Sequence, residues 1–320
     1  GLKYIITDNR YLNFSVGNYH QFISTFQDDF NPSILDNWIA ADTSVSPGKS
    51  MQIVLGYEEY IKNMYKIQIE GYYKDLKNLL TYEETRSTTD ANVSDESLAD
   101  IVTPANGYAY GFEIFGQKMS GKLSGWVAYT YSISRKIMNS IYADGEQEYY
   151  TNWDRTHAFS VLGNYQINKK WETNWRLALQ SGQAYTPILG YYVQKFPESP
   201  EEIFRTIPGS RNSERYKPYS RLDIGAVYHG KIGKTNVDFF FQIINTFNRS
   251  NTFRKTFSLG SPYNGLDDDG DWDKDLHDSN GNGKPDPGET NVDESDEGKI
   301  NERSIGLFPI LPTFGFTWEF

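Results

Sequence analysis

Apolar and polar residues alternate strictly along much of this chain, most clearly in residues 312–320, Pro-Thr-Phe-Gly-Phe-Thr-Trp-Glu-Phe. Phe314, Phe316, Trp318 and Phe320 would share one face of a strand, and Thr313 to Glu319 would alternate onto the other. Chain ends of water-soluble domains usually fray, so a terminal strand this apolar needs a partner or a lipid environment. These residues alone leave two interpretations open: a strand of a membrane barrel with apolar residues outside, or an edge strand of a soluble sandwich.

The same period of two recurs in ten earlier segments, counting a partial strand at the start of the chain. Such alternation is typical of a sheet with two different faces. We therefore predict eleven strands, with Trp175, Leu177, Phe239, Phe241, Phe314 and Phe316 on an apolar outside and Arg176, Asp238 and Glu319 on a polar inside. The apolar sets that support this assignment are Leu12/Phe14/Val16, Met51/Ile53/Leu55/Tyr57, Tyr65/Ile67/Ile69/Tyr73, Tyr110/Phe112/Ile114, Val127/Tyr129/Tyr131, Phe159/Val161/Tyr165, Trp171/Trp175/Leu177/Leu179, Leu222/Ile224/Tyr228 and Val237/Phe239/Phe241/Ile243.

The composition favours the barrel over the sandwich. Aromatic residues make up 16% of the chain, yet hydrophobic residues total only 38% and the mean hydropathy is −0.63. A membrane barrel needs aromatic girdles and a polar interior rather than a large aliphatic core. The chain contains no run of about 18 apolar residues, so the sequence predicts no membrane-spanning helix. The absence of cysteine excludes disulfides and zinc–cysteine sites.

The lengths of the connections alternate in the way expected for such a barrel. Short turns are predicted near residues 7–9, 62–63, 120–121, 168–170 and 231–234, and long polar segments near 22–49, 80–105, 135–156, 182–219 and 252–311. Loops longer than about 15 residues are uncommon in compact domains, whereas short periplasmic turns opposite long extracellular loops are the rule in outer-membrane barrels. The sequence therefore predicts an all-β, up-and-down, antiparallel transmembrane sheet.

Four short motifs carry a family resemblance. They are Trp153-Asp-Arg-Thr-His157, Ser181-Gly-Gln-Ala-Tyr-Thr-Pro187, Tyr219-Ser-Arg-Leu-Asp223 and Asn245-Thr-Phe-Asn-Arg-Ser-Asn251. In this order, and together with the terminal Phe, they resemble the barrel of TonB-dependent outer-membrane receptors. The terminal Phe with its alternating aromatics also resembles the sorting signature of outer-membrane barrel proteins.

The resemblance implies that residues 1–320 are the C-terminal half of a 22-stranded barrel in the outer membrane of a Gram-negative bacterium. It implies import of a scarce, unidentified ligand, energised by the TonB system through an N-terminal plug that would precede Gly1 in a longer protein. The alternative is a barrel retained as a structural docking platform whose loops bind a surface partner protein. In either case outer-membrane lipid is a partner.

The acidic segment 252–311 contains the sharpest local motif, Asp278-Ser-Asn-Gly-Asn-Gly-Lys-Pro-Asp-Pro-Gly-Glu289. It fits the EF-hand-type calcium loop, with Pro at the eighth position and no flanking helix pattern as departures. The predicted Ca²⁺ ligands are Asp278, Asn280, Asn282, Lys284 through its carbonyl, Asp286 and Glu289. An Asp-x-Asp array at residues 267–275 could hold a second ion.

The charge distribution leaves two interpretations of this loop open. Residues 267–302 contain 14 Asp/Glu and 3 Lys/Arg, so their net charge of −11 equals that of the whole chain. Such a segment is either a solvated, disordered acidic loop or one that is ordered by a cation.

Other functions lack support in the sequence. The histidines His20, His157, His229 and His277 show no paired metal-ligand spacing, and there is no G-x-S-x-G motif. We expect neither catalytic activity nor nucleic-acid binding. Nine charged residues on the predicted inner face, Lys66, Glu70, Lys74, Glu113, Glu172, Arg176, Arg221, Asp223 and Asp238, are expected to form structural ion pairs rather than a ligand site.

Overall fold

The structure is a computed structural model. It describes residues 1–26, 37–82, 102–139, 145–195, 202–259, 273–284 and 300–319. In chain order the strands are β1 (Leu2–Thr7), β2 (Arg10–Gln21), β3 (Ile23–Phe26), β4 (Asn37–Ala40), β5 (Gly48–Ile61), β6 (Tyr65–Tyr82), β7 (Val102–Lys118), β8 (Leu123–Asn139), β9 (Glu146–Tyr150), β10 (His157–Gln166), β11 (Trp171–Gln180), β12 (Ala184–Tyr185), β13 (Ile188–Lys195), β14 (Glu202–Pro208), β15 (Glu214–Arg215), β16 (Tyr219–Ile232), β17 (Thr235–Ile244), β18 (Thr252–Leu259), β19 (Ile300–Gly306) and β20 (Leu311–Glu319); a short helix, α1, is Lys274–His277.

Eleven strands form one antiparallel meander, in the order β1-β2-β5-β6-β7-β8-β10-β11-β16-β17-β20, with β9 paired to β8 at its side. The predicted number of strands and their order are confirmed. β1 and β20 are the two free edges, and they do not pair with each other within the described residues. The sheet is therefore not closed into a barrel.

The connections at the two ends of the strands differ in length. At one end are five links of two to four residues, after β1, β5, β7, β10 and β16, and at the other end are five long links. We call the first end of the strands the short-turn edge and the second the long-loop edge. At the turn after β5, Lys62 and Asn63 have φ values of 53° and 50°, as the favoured two-residue hairpin turn requires.

The strand register sorts the side chains into an apolar face and a polar face. Residues opposite each other on neighbouring strands point to the same side. One row of the apolar face is Leu12, Tyr57, Ile69, Ile114, Tyr129, Phe159 and Leu179; another is Trp171, Tyr228, Phe239 and Phe316.

The predicted outside residues all lie on this apolar face. Phe314 is 89% exposed and Phe316 63% exposed, whereas Trp175 and Leu177 are half-buried by their neighbours. Arg176 and Asp238 lie on the polar face, and the side chain of Glu319 lies outside the described ones. The predicted assignment of faces is confirmed for the described side chains.

The sheet has almost no hydrophobic core. Among the described residues, the fully buried apolar side chains are few and scattered, and the largest cluster contains only Ala105, Met138 and Tyr149 with Leu79 packed against it. The apolar face is instead open along its whole width. Soluble monomers rarely expose an apolar patch larger than a few hundred Å², so this face requires a lipid or protein cover.

The long links contain further small ladders that the sequence patterns did not predict. β3 pairs with β4, β12 with β15, β13 with β14 and β18 with β19. The segment 252–311, predicted as a loop, thus begins and ends as two paired strands. β19 has no period-two signal that distinguishes it from loop, and the short alternation of β18 is interrupted by Lys255.

The chain divides into two compact units. One consists of residues 1–187, 209–252 and 306–320 and contains the whole meander. The other consists of residues 188–208 and 253–305 and contains the β13–β14 ladder, most of β18 and β19, and α1. No helix among the described residues is long and apolar enough to cross a membrane.

Candidate functional site

A segment of the link between β11 and β16 folds back over the polar face at the long-loop edge. Its residues 209–215 contact β6, β8 and β9 through side chains. This region, which we call the inner clasp, is the most extensive polar network among the described residues and the part of the polar face nearest the long loops.

Arg211 is the centre of the inner clasp. Its Nη1 donates to Thr81 Oγ1 at 2.8 Å, to Tyr149 Oη at 3.2 Å and to Met138 Sδ at 3.3 Å. The guanidinium also lies 5.1 Å from the centre of the Tyr149 ring. One cation thereby joins three strands that are 62 to 130 residues away in sequence.

A β-bulge brings Thr81 to the polar face. The register between β6 and β7 shifts between Leu76 and Leu79, where Asn78 has a φ of 57°. One extra residue reverses which side chains point inward, so Leu79 and Thr81 join Ala105 on the polar face. Strict alternation from Tyr73 would have placed Thr81 outside.

Asp154 and Arg215 form the second part of the inner clasp. Arg215 Nη2 donates to Asp154 Oδ1 at 2.6 Å, and the Asp154 side chain has no exposed surface. The other carboxylate oxygen of Asp154 accepts from the Ser134 N–H at 2.8 Å. Arg215 Nη1 donates to the carbonyl of Gly182 at 2.9 Å. The motifs around residues 153–157 and 181–187 thus meet around one buried ion pair.

Two more cations are partly buried in the same region. Lys136 is 5% exposed; its Nζ donates to the Leu80 carbonyl at 2.9 Å and lies 5.2 Å from the centre of the Trp153 ring. Arg155 donates to the side chain of Gln180. Burial lowers the pKa of Arg155, and the interaction with the neighbouring Tyr219 opposes this effect. Cations and rings at a lumen entrance can bind anionic or aromatic ligand groups.

Three asparagines in the link between β17 and β20 make side-chain hydrogen bonds to the backbone. The side-chain amide of Asn251 pairs with the backbone of Ser220 as a neighbouring strand would. It accepts from Ser220 N and donates to Ser220 O, both at 2.9 Å. Asn245, with a φ of 53°, donates to the carbonyl of Phe308, and Asn248 accepts from Ile310 N. The motif 245–251 is therefore structural, because its side chains satisfy backbone groups where the chain leaves the sheet.

The charged residues predicted for the polar face are all on it, and several form ion pairs. Arg221 Nε lies 2.8 Å from Asp223 Oδ1, and Lys66 Nζ lies 3.6 Å from Glu58 Oε2. His229, on the same face, lies 2.8 Å from Asp238 and 3.9 Å from Glu172. The remaining charged positions of the predicted set are Glu70, Lys74, Glu113 and Arg176.

Glu70 and Glu113 are direct register partners on β6 and β7. With Lys66, Gln68, Phe115 and Gln117 they line a cavity of about 350 Å³. Opposed like charges destabilise a sheet unless a cation lies near them, and Lys66 is the cation that lines this cavity.

The predicted calcium residues are only partly within the described chain. Asp286 and Glu289 lie outside it, as do residues 267–272 of the acidic array. Asp278, Asn280 and Asn282 lie on one tight loop whose oxygens accept backbone N–H groups: Asp278 accepts from Gly281 and Gly283, both at 2.7 Å, and Asn282 accepts from Lys284. No cluster of three or more His, Asp or Glu side chains suited to a metal occurs among the described residues.

The hydrogen bonds of this loop determine the direction in which the pKa of Asp278 is shifted. Desolvation alone would raise its pKa, but backbone N–H groups of Gly283, Gly281, Asn282 and Asn280 donate to the carboxylate and together lower the pKa below the ordinary value. The two amide oxygens and the carboxylate on this loop are of the ligand type that Ca²⁺ prefers.

The inner clasp was not predicted from the sequence. Arg211 and Asn212 stand in a run of turn-forming polar residues, Pro208-Gly-Ser-Arg-Asn-Ser, where burial has no local signal. Yet Asn212 is 2% exposed and has a φ of 49°. The hints were the Trp153 and Ser181 motifs, since Asp154 and Gly182 both accept from Arg215.

No protein-family model matches the chain, and no curated protein matches it. Its structure is similar to part of several solved receptors. The ferripyoverdine receptor of the outer membrane of Pseudomonas aeruginosa has 13% identity and a TM-score of 0.48, over 78% of this chain and 29% of the receptor. The siderophore receptor PirA from Acinetobacter baumannii and the FrpB iron transporter from Neisseria meningitidis each have 12% identity and a TM-score of 0.46, over 78% of this chain and 36% or 34% of theirs.

The chain thus spans about a third of the length of these proteins. The similarity concerns the fold.

Proposed function

We propose that this chain is the C-terminal half of a transmembrane β-barrel in the outer membrane of a Gram-negative bacterium, and that the complete protein imports a scarce ligand. The observation that carries the membrane location is the open apolar face, on which rows such as Leu12 to Leu179 cross seven neighbouring strands. In water the exposure of so large an apolar surface would be unfavourable. In lipid it is the outer wall of a barrel.

The unpaired edges support the view that the sheet is part of a larger barrel. An open strand edge in lipid leaves backbone N–H and C=O groups without partners, at several kcal/mol each. β1 and β20 each have such an edge among the described residues. Further strands would pair with both, and the family resemblance implies eleven of them together with a plug.

The import role rests on the polar face and on the family resemblance. Charged and amide side chains follow the polar face of every central strand, and the inner clasp places partly buried cations and aromatic rings beside the long loops. In this proposal Lys136, Arg155 and Arg211 with their neighbouring rings surround the entrance to the lumen. The TonB system supplies the energy through the plug, and no covalent chemistry is involved.

Uptake measurements test the import role. Cells producing the complete protein are compared with cells lacking it, each with an active or an inactivated TonB system. The labelled probes are a ferric chelate, a corrinoid and an oligosaccharide. Accumulation of one probe only when both the protein and TonB are active supports import. Accumulation that is independent of TonB contradicts it.

The alternative of a docking platform predicts a different result. The protein would then be located in the outer membrane, none of the probes would accumulate, and a defined surface partner would be lost from the cell surface when the long loops are shortened. Location and transport are thereby separated, because fractionation tests the first and uptake the second.

The acidic segment carries a second proposal, that it binds Ca²⁺ through Asp278, Asn280, Asn282, the Lys284 carbonyl, Asp286 and Glu289. Its support is the concentration of the entire net charge of −11 in residues 267–302 and the inward-facing oxygens of Asp278 and Asn282. A divalent cation would offset the repulsion among these carboxylates.

A further inference from the structure

Lysine is concentrated at the short-turn edge of the sheet. Four of the five short turns and the strand residues next to them carry seven lysines, of which six are exposed and one is half-buried. They are Lys62 after β5, Lys118 and Lys122 around the β7–β8 turn, Lys169 and Lys170 between β10 and β11, and Lys231 and Lys234 around the β16–β17 turn. We call them the rim lysines.

The turn segments that carry the rim lysines have no acidic residue of their own. Residues 60–65, 114–125, 164–171 and 230–237 contain no Asp or Glu, although the chain as a whole is acidic with a net charge of −11. The rim lysines form no ion pair with any residue of the described ranges. Seven cations thus lie along one edge of the sheet without an ion-pair partner among the described residues.

Two arginines at the ends of the apolar face are paired with glutamates. Arg10 Nε lies 2.9 Å from Glu59 Oε1 near the first short turn, and Arg135 Nε lies 3.6 Å from Glu148 Oε1 near the long loops. Among the described residues, neither the rim lysines nor Lys49 and Lys77 near the long loops have such a partner.

The rim lysines lie where the apolar face ends. Just beside them on that face are exposed aromatic and aliphatic side chains, namely Tyr65, Leu123, Tyr165, Ile167, Trp171, Ile232 and Trp318. Tyr and Trp at this level are typical of a membrane–water interface. Lipid tails that cover the apolar face would place their headgroups at the height of the lysines.

We infer that the rim lysines bind the phosphate groups of anionic phospholipid headgroups in the membrane leaflet on the short-turn side. The inference rests on the membrane location proposed above and adds a lipid preference to it. Lysine near an anionic membrane surface attracts headgroup phosphates over a Debye length. Two lysines in one turn, as at Lys169 and Lys170, can contact one phosphate together.

The test compares two double variants with the same change of charge. K169Q/K170Q removes two rim lysines, and K49Q/K77Q removes two exposed lysines near the long-loop edge. The complete protein is reconstituted into phosphatidylcholine vesicles with increasing phosphatidylglycerol, re-extracted in mild detergent, and the retained lipids are quantified by mass spectrometry.

We expect wild type and K49Q/K77Q to retain phosphatidylglycerol in preference to phosphatidylcholine. In K169Q/K170Q this preference should fall about fivefold for each lysine removed. Salt at 1 M should abolish the difference. Equal retention in wild type and K169Q/K170Q overturns the inference, as does an equal loss in K49Q/K77Q. If K169Q/K170Q does not fold, K231Q/K234Q is measured with the same criteria.

Two further outcomes separate this inference from its premises. A wild-type protein that does not insert into any vesicle contradicts the membrane location itself. A wild-type protein that inserts without headgroup preference contradicts only the role of the rim lysines. Soluble polyphosphate that binds the detergent-solubilised protein as tightly as phosphatidylglycerol would show a site for a soluble polyanion and overturn the lipid assignment.

Discussion

Arg215 and Asp154 lie 2.6 Å apart, and the Asp154 carboxylate has no exposed surface although the Arg215 side chain is 29% exposed. The pair joins the segment after β9 to the return of the β11–β16 link. Since Asp154 also accepts from Ser134 N, its carboxylate fixes three parts of the chain that meet only in the folded sheet.

Removal of Arg215 should destabilise the protein more than removal of Asp154 and Arg215 together. Arg215→Ala leaves a buried carboxylate without its cation, and loss of one partner of a buried pair costs about 3–5 kcal/mol. Adding Asp154→Asn removes the charge and keeps an acceptor for Ser134 N, so part of the loss should return. The free energy of unfolding in lipid vesicles measures both.

Arg10→Ala is the control for this pair. Arg10 lies 2.9 Å from Glu59 but is 51% exposed, and an exposed pair contributes little to stability. Equal losses for Arg10→Ala and Arg215→Ala would show that burial of Asp154 does not matter.

Arg211→Met tests the inner clasp. Methionine retains much of the side-chain length but cannot donate to Thr81 or Tyr149, and hydrogen bonds from a charged donor contribute about 1.5–3 kcal/mol. We expect the link between β11 and β16 to open locally, with faster cleavage by a protease within residues 188–208. The strands should retain their protection, because the meander does not depend on Arg211. Unchanged cleavage would mean that Arg211 does not hold the link.

The two faces of the sheet could be predicted from the sequence because each depends on a local period of two. Phe239 and Phe316 are register partners, and both were placed outside from their own strands alone. The inner clasp could not be predicted in this way. The contact of Arg211 with Thr81 joins residues 130 positions apart.

That contact also needs the register shift between Leu76 and Leu79. A bulge adds one residue that no alternation pattern marks, and it reverses the faces of everything after it. The small ladders of the long links are a further limit, because strands as short as Ala184–Tyr185 and Glu214–Arg215 give no periodic signal.

Phe241→Arg should destabilise the membrane-inserted protein by about 2–4 kcal/mol, since Phe241 is 49% exposed on the apolar face and would carry a charge into lipid. Gln242→Arg is the matched control on the next residue, because Gln242 faces the polar side opposite Thr313. Refolding into vesicles at several denaturant concentrations gives both values. Equal losses would show that the assignment of faces is wrong.

The hydrogen bonds around Asp278 predict an acid transition. Its pKa is lowered in the folded loop, so the stabilisation is complete above the ordinary Asp value of about 3.9 and is lost as the pH falls through the lower folded value. Gly281 and Gly283 donate to this carboxylate. In protein labelled with ¹⁵N-glycine, their amide signals should titrate with a midpoint below about 3.9. A midpoint at or above that value contradicts the bonded geometry.

Calcium should protect the acidic segment from proteolysis. Extracellular calcium modules bind at about 10⁻⁴ to 10⁻³ M, so limited proteolysis is compared at millimolar Ca²⁺ and in chelator. Glu289→Gln should remove the protection, because the twelfth position of the motif supplies two oxygens to the ion. Glu294→Gln is the control: it makes the same change in the same acidic segment, outside the motif. The unfolding of the meander should be the same for wild type and both variants, with calcium and with chelator, since its strands pair without this loop. Protection that is equal with calcium and with chelator, or equal loss in both variants, would show that charge alone and not the motif governs the segment.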